Sequence, residues 1–124
     1  MTKIELEFPV HASPSLIYQY FTAPSNLSEW FADNVNSRGK VYKFIWDGSE
    51  EEAKIVAKTA DQRLKLKWAA DEDPDTYFEF RIEVDELTND VSLIITDFYD
   101  DGDEDEVKMY WENAIGELKH VIGA

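Results

Sequence analysis

The sequence predicts an α+β fold: a curved antiparallel sheet of about seven strands around one long C-terminal helix, with two short helices after the first strand. Three observations lead there. Between Lys40 and Asp100 apolar and polar residues mostly alternate, the period of strands with one wet face. Short turn signals such as Asp47-Gly48 separate the runs, so successive strands pair antiparallel. From Val107 to Ile122 the period changes. Val107, Tyr110, Trp111, Ala114, Ile115, Leu118, Val121 and Ile122 form one helical face, opposite Lys108, Glu112, Asn113, Glu117, Lys119 and His120. Such a stripe needs a large apolar partner, and the concave side of the sheet supplies one.

In chain order, Ile4, Leu6 and Phe8 alternate with Lys3, Glu5 and Glu7, giving a first strand that ends near Pro9. Ser13-Pro14 places an N-cap before a proline at the first helical position. Ile17, Tyr20 and Phe21 give that helix its stripe, and Ala23-Pro24 stops it. A second short helix is expected with Ser25 or Asn26 as cap, Glu29 in a capping-box position, and Leu27, Trp30 and Phe31 on its apolar face.

Residues 34–37 can form a short strand, turned by Arg38-Gly39. Lys40 to Trp46 follows, with Tyr42, Phe44 and Trp46 on one face. Glu51 to Thr59 has Ala53, Ile55 and Ala57 inward, and Asp61-Gln62 turns the chain. Arg63 to Trp68 sets Leu64, Leu66 and Trp68 opposite Arg63, Lys65 and Lys67. Thr76 to Asp85 sets Phe78, Phe80, Ile82 and Val84 opposite Tyr77, Glu79, Arg81 and Glu83. Val91 to Phe98 is the last strand; both of its faces are apolar, so its orientation stays open. Asp100 to Glu106 is an acidic linker into the long helix.

The 124 residues suit one domain, 1–124, with its own core. Hydrophobic content of 44% with 14% aromatic is that of a globular chain. So many rings fit either a bulky core or a lined cavity. Twenty-seven acids oppose twelve bases, a formal charge of −15, which argues against nucleic acid and anionic membrane surfaces as partners. Without cysteine there is no disulfide, thiolate nucleophile or cysteine metal site. The first residues read as strand and not as an apolar signal core, and no apolar run approaches membrane-spanning length, so a cytoplasmic protein is expected.

Ser13-Pro14, Ile17-Tyr18, Phe21-Thr22, Pro24, Leu27 and Trp30-Phe31 resemble the opening of the START-like, or helix-grip, superfamily. Trp111 with Ala114, Ile115 and Leu118 resembles the pattern of its final helix. The nearest branch in look is that of activators of heat-shock chaperone ATPases. The resemblance implies a helix-grip fold with its pocket between sheet and last helix. The rings expected to line it are Trp30, Phe31, Tyr42, Phe44, Trp46, Trp68, Phe78, Phe80, Tyr110 and Trp111. The expected role is non-covalent binding of a small, largely apolar ligand. The alternative is a protein-interaction module like the chaperone activators, and a weaker one is a cyclase- or hydrolase-like enzyme. A monomer or weak homodimer is expected.

No catalytic set, metal site or cofactor is expected. His11 and His120 read as exposed and unaccompanied. Aligning Gly102 with the invariant glycine of a calcium-binding EF-hand loop puts Asp97 first and Asp101 fifth, but Tyr99 third and Lys108 twelfth, where carboxylates are needed. The acids before the long helix instead suit its positive N-terminal end. Asp71, Glu72, Asp73 and Asp75 read as a solvated turn around Pro74. Gly116 sits mid-helix, where it costs about 1 kcal/mol against alanine unless a neighbour approaches closely there.

Overall fold

The computed structural model describes Met1–Ala124. The strands are β1 (Thr2–Pro9), β2 (Asn34–Arg38), β3 (Val41–Trp46), β4 (Ser49–Thr59), β5 (Arg63–Trp68), β6 (Phe78–Val84) and β7 (Val91–Tyr99). The helices are α1 (Pro14–Thr22) and α2 (Pro24–Leu27) between β1 and β2, and α3 (Glu104–Ile122) at the end. All seven strands form one curved antiparallel sheet in the order β1-β7-β6-β5-β4-β3-β2. Strands β2 to β7 are therefore a meander. The chain joins β1 to β2 through α1 and α2, from one edge of the sheet to the other. This is the α+β order that the periodicity predicts, and the helix-grip layout that the resemblance implies.

The register sorts the side chains. Leu6 stands opposite Ile95, Ile95 opposite Phe80, and Phe80 opposite Leu64. Leu66 stands opposite Ile55, Trp68 opposite Ala53, Ala53 opposite Tyr42, and Phe44 opposite Val35. One continuous apolar face results, because opposed residues of an antiparallel pair share a side of the sheet. Trp111, Ile115 and Leu118 of α3 are buried in the same cluster, together with Ile17 and Phe21 of α1 and Leu27 of α2. Residues of this kind stabilise by about 1.5–3 kcal/mol each on full burial.

The register also orients β7. Leu93 and Ile95 face inward with Ile82 and Phe80 across the ladder, so Asp97, two further on, points to the same side. Ile94 and Thr96 take the other face, opposite Arg81 and Glu79.

Local chemistry explains most element ends. The Ser13 hydroxyl accepts the Leu16 N–H at 3.2 Å, capping α1 ahead of Pro14. Asp47 and Gly48 have φ of 50° and 82°, the paired left-handed conformations that a two-residue hairpin between β3 and β4 requires. Acids Glu104, Asp105 and Glu106 occupy the first turn of α3, Lys119 and His120 its last, and Gly123 closes it with φ of 74°. No side chain caps its first N–H groups, so the acids act there through charge alone.

Four details depart from the sequence reading. Helix α2 begins at Pro24 and is only four residues long, with Ala23 as its uncapped N-cap. Neither Ser25 nor Asn26 caps it, because Pro24 pre-sets the first helical turn and the Asn26 amide donates instead to the Gln19 carbonyl at 3.2 Å. Trp30 and Phe31 lie in the turns after α2, both buried. In β4 the register slips between Ile55 and Ala57, with Val56 the extra residue. The slip sets Ala57 opposite Lys65, on the outer face, and not inward.

The acidic loop after β5 is also more structured than a solvated turn. The Lys67 ammonium donates to Asp71 Oδ2 at 3.2 Å, to the Thr76 carbonyl at 2.7 Å, and to the Asp73 carbonyl. The Thr76 hydroxyl, then backbone and Lys67 contacts, holds the Asp71 carboxyl below its ordinary range. A β-strand lysine thus ties the loop to the sheet's outer face.

Candidate functional site: an aromatic cleft between the sheet and the last helix

Strands β3 to β7 and the N-terminal half of α3 do not close completely on each other. They leave an open cleft of about 470 Å³. Phe31 enters it from the turn after α2, Trp46 from β3, Trp68 from β5 and Phe78 from β6. Tyr110 and Trp111 come down from α3. Two acids complete the lining, Glu51 of β4 and Asp97 of β7. A second depression, about 450 Å³, lies at the β2 edge, but Val41 is its sole apolar wall. The cleft under α3 is the one whose lining suits an apolar ligand.

The rings form a connected stack. Trp68 stacks on Phe78 at 4.7 Å between centroids and stands 6.1 Å from Trp46. Phe31 meets Trp46 edge-on at 5.5 Å and lies nearly parallel to Trp111 at 6.0 Å. Such offset and edge-to-face pairs match the quadrupoles of the rings, which fixes their positions in the absence of a ligand. The Trp46 indole donates to the Phe31 carbonyl at 2.8 Å, joining the turn after α2 to β3.

Six of the ten expected lining rings are in this wall: Phe31, Trp46, Trp68, Phe78, Tyr110 and Trp111. The other four are placed behind it. Phe44 and Phe80 are fully buried among other rings. Trp30 is buried with its indole donating to the Tyr20 carbonyl at 2.8 Å. Tyr42 is buried with its hydroxyl donating to the Thr22 carbonyl at 2.7 Å. Burial, and then the nearness of Tyr18, pushes the Tyr42 phenol up to about 12. Its hydroxyl is committed to the fold and not free to orient a ligand.

The two acids were not among the expected residues. Asp97 Oδ2 accepts the Trp111 indole N–H at 2.8 Å and Oδ1 accepts the Phe98 N–H at 2.8 Å. Burial raises its carboxyl above the ordinary aspartate range, against the pull of these two bonds. Burial, then the charges of Asp97 and Glu51, pushes the Tyr110 phenol up to about 12, although 45% of the residue's surface stays exposed. Neither Asp97 nor Glu51 forms a salt bridge, and no basic residue lines the cleft. Parity could have marked Glu51, which precedes the inward Ala53 by two; it groups Asp97 with Leu93 and Ile95, but both faces of β7 are apolar and the sequence does not say which is inner.

Over residues 1–124 the sequence matches the START-like superfamily domain. The chain belongs to the START-like superfamily. Among solved structures, this START-like domain is similar to protein BfR322 of Bacteroides fragilis, with 32% identity, 98% of this chain and 90% of that one covered, and a TM-score of 0.70. It shares its fold with the Aha1 dimer of Colwellia psychrerythraea at 22% identity, 96% and 94% coverage and a TM-score of 0.79. It also shares it with DynU16 of the dynemicin biosynthetic locus at 15% identity and a TM-score of 0.81. There it covers 98% of this chain but 47% of that one. No curated protein matches the sequence. No helix of the START-like domain is long and apolar enough to cross a membrane.

Proposed function

We propose that this domain binds a small, largely apolar ligand non-covalently in the cleft between the sheet and α3. The observation that carries the reading is the cleft itself: about 470 Å³, open to solvent, with six of its eight lining residues aromatic. That size falls within the range of roughly 300–1,000 Å³ typical of small-molecule sites. Membership of a superfamily whose domains commonly bind hydrophobic ligands supports the same reading. Affinity comes from covering the surface that Trp46, Trp68 and Tyr110 leave exposed, about 25 cal/mol per Å² before the entropy of association is subtracted.

Tryptophan fluorescence tests the reading directly, because Trp46, Trp68 and Trp111 all line the cleft. Flat hydrophobic compounds such as flavonoids or steroids are expected to change the emission with micromolar saturation, about −8 kcal/mol. Trp46→Ala should weaken that response while leaving the far-ultraviolet circular dichroism unchanged. If a broad apolar panel shifts neither fluorescence nor melting temperature, ligand binding is wrong. The protein-interaction reading then takes its place.

A further inference from the structure

We infer that the ligand of this cleft is a cation: an organic amine or quaternary ammonium carried on an aromatic or otherwise apolar body. The inference rests on the binding function proposed above and specifies its ligand class. The aromatic wall and the two carboxylates are independent features, and they point to the same chemistry.

Ring faces attract cations through their quadrupole, best for tryptophan. Here Trp46 and Trp68, both part-exposed, and the exposed Tyr110 share a single open cleft, floored by the buried Trp111. The carboxylates are aimed into that space by register. Glu51 stands opposite Phe44, and Asp97 opposite Ile4, both on the concave side of the sheet. A buried carboxylate without a cationic partner is expensive to keep. Asp97, half-buried, has only two N–H donors and no cation, and Glu51, exposed beside it, adds a second unpaired negative charge. The buried Glu79 and the half-buried Asp71, by contrast, each face a cation, Arg63 and Lys67. The cleft is where two acids and no base converge, and a bound ammonium would complete it. An apolar ligand without charge would instead have to cover the Asp97 carboxylate with nothing to compensate it, and an anion would be repelled. The overall charge of −15 steers cations in the same sense.

The test uses three ligands on one ring system, 2-naphthylethylamine, 2-naphthylethanol and 2-naphthylacetate, titrated calorimetrically into the full chain at neutral pH. The amine should bind about 10-fold tighter than the alcohol, a difference of about 1.4 kcal/mol, and the carboxylate weakest. Added salt should narrow the gap. Glu51→Gln, at an exposed position, and Asp97→Asn, which keeps an acceptor for the Trp111 indole, should each reduce the preference for amine over alcohol. The preference is read as the amine-to-alcohol affinity ratio within each variant, so a general loss of binding does not mimic it. Glu86→Gln, on the remote turn between β6 and β7, should leave all three affinities unchanged. If the alcohol binds but the amine binds no tighter, the cation inference is wrong and the binding function stands. The cation inference is equally overturned if the preference survives both cleft substitutions, or falls as much with Glu86→Gln. If none of the three binds, both are wrong.

Discussion

Trp111 joins the long helix to the sheet, and its removal measures how much of the fold that joint supports. Its surface is 2% exposed. The ring lies against Phe31 at 6.0 Å and edge-on to Phe80 at 5.8 Å, and its N–H is one of two donors to Asp97. Trp111→Ala removes an indole from a packed site and leaves space between α3 and β6–β7, which for buried aromatic truncations costs about 3–5 kcal/mol. Against a total stability of roughly 5–15 kcal/mol this is a large fraction. With a urea slope of about 1.5 kcal/mol/M, the midpoint should fall by roughly 2–3 M. Trp111→Phe separates the two contributions. It keeps most of the ring packing but strips Asp97 of its side-chain donor, and should cost about 1–3 kcal/mol. Equilibrium urea melts followed by far-ultraviolet circular dichroism read both. A loss below about 1 kcal/mol for Trp111→Ala would refute the view that α3 is pinned through this residue.

Three further outcomes are expected. Burial raises the Asp97 carboxyl, so between the ordinary value near 3.8 and its folded value the native state holds more proton than the unfolded chain. Asp97 therefore favours folding at low pH and loses that contribution as pH rises through the window. Asp97→Asn should gain stability relative to the parent as pH increases from about 4 to 7; a relative loss over that range would show the sign to be wrong. Gly116 is exposed mid-helix, and a Cβ there would meet nothing within 4 Å, so no neighbour needs the glycine. Gly116→Ala should raise stability by about 1 kcal/mol, seen as a higher melting temperature. If the acids of residues 100–106 serve the helix start, as the sequence reading expects, sub-millimolar calcium should leave the melting temperature where it is; a concentration-dependent rise would reveal a specific site.

What the sequence determined by itself were features set within a few residues of chain. The period of two at Leu64, Leu66 and Trp68 against Arg63, Lys65 and Lys67 is backbone geometry written in side chains, and it gives the strand and its inner face together. The stripe from Val107 to Ile122 gives the helix and its buried side in the same way, and Asp47-Gly48 gives the hairpin because two left-handed residues are needed there. The order of these elements then leaves few topologies, and the antiparallel meander follows. Tertiary structure decided what depends on a partner far along the chain. Strand β7 is apolar on both sides, so only its ladder with β1 and β6 could say that Asp97 shares the inner face with Leu93 and Ile95. The bulge at Val56 reverses the parity of Ala57, which no local pattern marks. Above all, inward-facing rings look alike in a sequence. Phe44, Phe78 and Phe80 all end in the close-packed core, with Phe78 also flooring the cleft, while Trp46 and Trp68 keep exposed surface there. Which rings keep exposed surface is set by the packing of whole elements and not by any residue alone.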